Sequence, residues 1–238
     1  MPGAPTVMLG VVLLLMLAAG ASATSPTAAL PRDLPQSERD RLSQVTEHVS
    51  VTARSSGEPF RVREDVFEYL LDRPDFATQV IRALGIGRYR IWREPDGLWL
   101  DDGAGALVRF HVVYATRGRR VFFLDGRYHP GFVPAIHGRV VVILEYAIEP
   151  AANGKSLITP AMASFVRIDN ALFDALTRLF TAIIAPRAAR VTSRIVVDIA
   201  RTARAIDEDP ARVDAAVSAR PDVPPRELTD FRRLLAHR

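Results

Sequence analysis

No cysteine occurs anywhere in the 238 residues. That removes disulfides, thiol nucleophiles and thiolate-ligated metals together, and leaves an apolar core to hold the fold. Lysine is almost as scarce. Lys155 is the only one, so the formal net charge of +4 is carried by arginine. A nucleic-acid surface needs its cations gathered on one face. Here the arginines are spread along the chain among Asp and Glu, so no nucleic-acid partner is expected. A weak attraction to anionic lipid, and with it a transient membrane contact, stays open. Catalytic and cofactor signatures are missing as well. There is no G-x-S-x-G, no H-E-x-x-H and no phosphate-cradling loop, and no cofactor is expected. His129 and His137 flank a short Pro/Gly-rich segment, but their spacing is not that of a metal-ligand pair, and no metal is expected.

Long apolar runs are also few. The sequence has one, Val7 to Ala21, which is shorter than the ~20 residues of a membrane-spanning helix. Ala21-Ser22-Ala23 follows it with the small side chains a signal peptidase needs. The expectation is cleavage after Ala23 and an exported, periplasmic or secreted protein beginning at Thr24. An uncleaved N-terminal anchor is the alternative. The chain then divides into a signal peptide (1–23), a linker with a short polar helix (24–47), a main domain (48–207) and a tail (208–238). Within the tail, 226–235 reads as a short exposed helix.

What is present is a particular order of elements. Val49 to Ala53 alternates as a strand. Val66, Phe67, Leu70 and Leu71 recur at helical spacing, and Pro74 divides that helix from a second one carrying Phe76, Val80 and Ile81. Six strand-like stretches follow, among them 106–115, 120–128, 139–149 and 156–168. Turns at Pro95-Asp96-Gly97 and Arg117-Gly118-Arg119 make successive strands antiparallel neighbours. A helical stripe then runs from Leu172 to about Asp207. Pro186 lies inside it and predicts a bend or break between Ile183 and Arg187. The fold class is α+β: a curved antiparallel sheet wrapped around a long C-terminal helix.

This succession resembles the START-like superfamily, also called SRPBCC or helix-grip proteins, over about Val49 to Asp207. The resemblance is carried by the strand VSVTA, by Val66-Phe67-Glu68-Tyr69-Leu70 before Pro74-Asp75-Phe76, by the strand pair 106–115 and 120–128, and by the helix beginning Asp169-Asn170. It implies a cavity between sheet and helix that holds a lipid, sterol or polyketide.

Strand alternation then nominates residues. Phe110, Val112 and Tyr114 share one face of their strand, and Leu144 and Tyr146 share one face of theirs. With Leu176, Phe180 and Ile183 of the helical stripe they are the candidate ligand-binding residues. Phe132, Val133 and Ile136, apolar residues of the 129–138 loop, are the candidate lid. Arg109, His111, Asp125, Arg127 and Glu145 fall on the opposite faces. There they either form cross-strand ion pairs in solvent or, if turned inward, orient a ligand head group. The function expected is that of a carrier for a hydrophobic small molecule, a lipid in the first instance. A cyclase or hydrolase on the same fold, using His111 and Glu145 as an acid–base pair, is one alternative. A structural partner with a filled core is another.

Overall fold

Alternating apolar residues and tight turns produce one antiparallel sheet of eight strands. The structure, a computed structural model, describes residues 29–129, 135–169 and 173–236, and of 173–184 it describes the backbone only. The elements in order are α1 (Gln36–Thr46), β1 (Val51–Ser56), β2 (Phe60–Val62), α2 (Glu64–Asp72), α3 (Pro74–Ala83), β3 (Arg90–Glu94), β4 (Gly97–Asp101), β5 (Ala106–Thr116), β6 (Arg119–Tyr128), β7 (Ile136–Pro150), β8 (Ser156–Ile168), α4 (Phe173–Glu208), α5 (Pro210–Ser218) and α6 (Pro225–Ala236). The strands lie in the order β1-β8-β7-β6-β5-β4-β3, with β2 also paired to β8. Hairpins join β3 through β8 in sequence. The first strand closes against the last because α2 and α3 carry the chain across to the far edge.

Pro74 separates α2 from α3 as the sequence predicts, taking the first helical position where its missing N–H costs nothing. Leu84 caps α3 and Gly85 turns the chain out at φ +67°. Of the predicted bend or break at Pro186, the break does not occur. The helical backbone of α4 runs without a break from Phe173 to Glu208. The ring removes the donor that would meet the Ala182 carbonyl, a cost of about 3 kcal/mol in an isolated helix. Buried residues from Thr192 to Ile206 anchor the following turns to the rest of the molecule, and tertiary packing of this kind overrides local propensity.

One core lies on the inner face of the sheet, where Phe110, Phe122, Leu144 and Met162 meet Phe67 and Leu71 of α2 and Val196, Ala200 and Ala203 of α4. A second lies on the outer face, which the sequence leaves in solvent. There α1 lays Leu42 and Val45, both fully buried, over Val121, Phe123, Val141, Ile143 and Phe165. Arg41 adds its guanidinium 3.9 Å above the Phe123 ring. A third core joins α2 and α3 to α5 and α6, with Val213, Val217 and Phe231 fully or nearly fully buried. The segment after Asp207 is therefore part of the packed fold and not a detached tail. Its helix α6, which the sequence leaves exposed, buries Phe231 and packs Leu228, Leu234 and Leu235 against the same cluster.

Candidate ligand cavity

The seating of α4 decides where space is left. Residues Val196, Ala200 and Ala203 bring this helix down at one side of the sheet, against β1, β2 and β8. Gly57 permits the approach: a Cβ there would stand 2.4 Å from Val196 Cγ1. Ser164 of β8 and Thr192 of α4 close the same contact with a buried hydrogen bond of 3.0 Å. The middle strands curve beneath the other side of the helix, and between them lies a cavity of about 760 Å³. That falls within the roughly 300–1,000 Å³ of small-molecule sites.

The walls come from three directions. The sheet contributes Ile91, Val108, Phe110, Phe122, Val142 and Leu144, α2 and α3 contribute Leu71 and Ile81, and α4 contributes Ile195 and Ile199. Gly126 lets β6 lie close to β5: a Cβ there would stand 2.4 Å from the Leu107 carbonyl oxygen. Polar groups along the walls are already satisfied by the protein. The Thr78 hydroxyl accepts from the Ile91 N–H at 2.9 Å, Ser164 and Thr192 bond each other, and Thr202 donates to the Asp198 carbonyl at 2.8 Å. A ligand inside therefore meets apolar surface and few free hydrogen-bonding groups.

At the mouth, Asp102 Oδ1 accepts from the N–H groups of Ala104 (2.8 Å) and Ala106 (2.9 Å), which fixes the turn between β4 and β5. Its Oδ2 accepts from Arg187 of α4, and the Arg187 guanidinium lies 4.1 Å above the Tyr128 ring. This strap ties the turn, the end of β6 and α4 together across the opening. Beside it Asp198 is buried and 3.6 Å from Arg194. Burial pushes its carboxyl upward against the opposing pull of Arg194, and burial likewise raises the neighbouring Tyr89 hydroxyl.

The nominated residues divide. Phe110 and Leu144 border the cavity. Val112 does not; it lies 39% exposed beyond the covered part of β5. Tyr114 points the other way. A β-bulge between Val112 and Tyr114 shifts the register, so Tyr114 pairs with Val121, joins the outer cluster and donates its hydroxyl to Asp33 at 3.0 Å. Tyr146 is on the expected face but under α2, where it packs edge-on against Phe67 at 5.0 Å and donates to Glu68 at 2.8 Å. It is core and not cavity wall. Ile136 is no lid residue: it opens β7, is buried with Val51 and Ile168, and borders the cavity from within. Phe132 and Val133 lie outside the described residues, as do the side chains of Leu176, Phe180 and Ile183.

On the outer face the ion-pair expectation holds for Arg109 with Asp96 (2.5 Å) and for Glu145 with Arg119 (3.5 Å). His111 and Glu145 are not brought together. His111 stands opposite Phe123, whereas Glu145 stands opposite Arg119 four residues along β6. Burial, and then the cations Arg41 and Arg109, lower the His111 pKa. Among the described residues no cluster of three acidic or histidine side chains could hold a metal, and no helix is long and apolar enough to cross a membrane.

No protein-family model matches this chain, and no curated protein does. Solved structures show partial likeness. Truncated norcoclaurine synthase from Thalictrum flavum aligns at 11% identity over 66% of this chain and 95% of its own, with a TM-score of 0.38. The protein Ara h 8.0201 aligns at 13% over 61% and 98%, with a TM-score of 0.30. The di-domain ARO/CYC protein BexL from the BE-7585A biosynthetic pathway aligns at 14% over 79% and 58%, with a TM-score of 0.33. Likeness at these scores carries no statement about what this chain does.

Proposed function

We propose that this protein is an exported container for a hydrophobic small molecule, a lipid in the first instance, built on the START-like helix-grip plan. The observation that carries the proposal is the 760 Å³ space between sheet and α4, with apolar walls whose polar neighbours are internally bonded. Such a site binds by desolvation alone, at about 0.8 kcal/mol for each CH₂ buried. A filled core would leave no such space, and an acid–base mechanism finds His111 and Glu145 apart. Export rests on the run Val7 to Ala21 and its Ala21-Ser22-Ala23 end. N-terminal sequencing of protein recovered from the medium or periplasm should read from Thr24; a retained Met1 in the membrane fraction would favour the anchor.

The test of the cavity is to fill it. Val142 faces the space from the middle of the sheet. Val142→Phe should weaken binding of the uncharged dye N-phenylnaphthylamine by about tenfold, a change of ~1.4 kcal/mol. Its effect on unfolding in urea should stay below about 1 kcal/mol, because the ring enters empty space, whereas a filled core would lose ~1–3 kcal/mol to overpacking. A large stability loss together with no dye binding by the natural protein would overturn the proposal.

A further inference from the structure

The charge around the cavity is one-sided. Among the described residues five arginines border it, Arg88, Arg127, Arg187, Arg190 and Arg194, against a single carboxylate, Asp102. Three of them, Arg187, Arg190 and Arg194, follow one another on α4 at helical spacings of three and four, which stacks them along one side of the helix. Arg88 adjoins the turn that holds Asp102, since the position of a Cβ on Gly103 would lie 3.8 Å from Arg88 Cβ. Tyr128, whose ring carries the Arg187 guanidinium, faces α4, so strand alternation turns the preceding Arg127 side chain to the outer face and leaves it out of the rim. Arg187 is matched by Asp102, and Arg194 stands 3.6 Å from Asp198. Among the described residues Arg88 and Arg190 make no ion pair, and both are exposed. Elsewhere on the surface most arginines are matched: Arg63, Arg82, Arg93, Arg109, Arg117, Arg139 and Arg232 each have a carboxylate partner. Two unmatched guanidinium groups, Arg88 and Arg190, thus stand beside an apolar space whose interior polar groups are already bonded.

We infer that the ligand is an anionic amphiphile: an apolar tail fills the cavity, and a carboxylate or phosphate head lies at the arginine rim. This rests on the container reading and adds the chemistry of the head. A guanidinium offers planar paired donors that match either anion in a bidentate way. Asp102 already places a carboxylate there from within the chain, since its Oδ2 accepts from Arg187. The incoming head competes with Asp102 for Arg187 and finds further cations in Arg88 and Arg190. Neutral tails gain only from burial, and cationic amphiphiles meet repulsion.

Displacement of N-phenylnaphthylamine from the full chain, below micelle-forming concentrations, separates these cases. Dodecanol, dodecanoate, dodecyl phosphate and dodecyltrimethylammonium share one tail and differ in head. The natural protein should bind dodecanoate or dodecyl phosphate at least about tenfold more tightly than dodecanol, as charge-assisted bonds are roughly twice as strong as neutral ones, and salt should reduce the preference. The relative displacement by the two anions decides between a carboxylate and a phosphate head. In the double variant Arg88→Gln, Arg190→Gln the preference should fall to about threefold or less while dodecanol binding is unchanged. Among the described residues neither makes an ion pair, so folding should be preserved. Asp102→Asn keeps the acceptor oxygen for the Ala104 and Ala106 N–H groups and frees Arg187, so it should raise anion affinity. Equal binding of alcohol and anion by the natural protein, or a preference that survives the double variant, overturns the head-group inference and leaves the container standing. If none of the four displaces the dye and the dye itself does not bind, the container reading fails and this inference with it.

Discussion

Replacing Arg120 by methionine should cost about 3 kcal/mol of stability, the lower end of the ~3–5 kcal/mol seen when one member of a buried ion pair is removed. Arg120 begins the inner face of β6 and its side chain is 4% exposed. One nitrogen donates to Glu68 at 2.5 Å and to Asp72 at 2.9 Å, both on α2. The other donates to the Tyr146 hydroxyl at 3.0 Å and to the Thr116 carbonyl. Tyr146 in turn donates to Glu68 at 2.8 Å. The group pins α2 to the sheet beside the β5–β6 turn. Methionine fills much of the volume but leaves Glu68 with Tyr146 alone. Glu68 keeps about a fifth of its side-chain surface in water, which is why the lower figure is expected. Asp72 is mostly exposed and loses little. Urea unfolding measures the loss. The companion variant Arg120→Met with Glu68→Leu should recover most of it, because an apolar pair of similar volume replaces a buried ion pair at little cost. A single variant that loses under about 1 kcal/mol would show that Arg120 and Glu68 are not coupled.

Arg120 also shows why parts of this molecule were not legible in its sequence. Two-residue periodicity identified the inner face of β6 through Phe122 and Leu124, and the same alternation carries Arg120 onto it. A charged residue there looks like a mistake until α2 supplies Glu68, at a sequence distance of 52 residues. Local signals were enough for the elements themselves. Pro74 gave the break between α2 and α3, and Gly97 and Gly118, both at positive φ, gave the hairpin turns. Long-range coverage was harder. Val121, Phe123, Val141 and Ile143 are apolar on the face opposite Phe122 and Leu144, and strands apolar on both faces require a second cover. That pattern was visible, but α1 looked too polar to provide it because only Leu42 and Val45 face inward. The bulge before Tyr114 inverted one assignment, since a single extra residue exchanges the two faces of a strand and leaves no composition signal. Tyr146 was placed on the correct face and still missed the cavity, because α2 covers that end of the sheet. The rim arginines were legible as residues and not as a group. They come from the approach to β3 and from α4, and only the closed fold brings them to one opening.

The second large effect should come from Phe231→Ala, at about 3–5 kcal/mol, the range for truncating a buried phenylalanine. Phe231 is fully buried although only seven residues follow it in the sequence. Its ring packs 5.2 Å from Phe76 of α3 and 6.4 Å from Tyr69 of α2, in the cluster that also holds Val66, Leu70 and Val80. Around it, Arg63 donates to the Leu234 carbonyl at 3.0 Å and Arg232 reaches Asp214 of α5 at 2.8 Å. Those polar contacts are largely exposed and hold little on their own; the ring is the anchor. The consequence reaches the cavity through α2. Val66 and Leu70 face α6, while Phe67 and Leu71 one residue on face the sheet, and Leu70 borders the cavity as well. Loosening the C-terminal helix therefore loosens one wall of the container. Urea unfolding should show the full loss, and amide exchange should rise first in α6 and α5 and then in α2. Dye affinity should fall with it under native conditions, whereas Val142→Phe lowers affinity without the stability loss. If Phe231→Ala costs under about 1 kcal/mol and leaves α2 protected from exchange, α6 is a dispensable tail after all, and the third core is not part of what holds the fold.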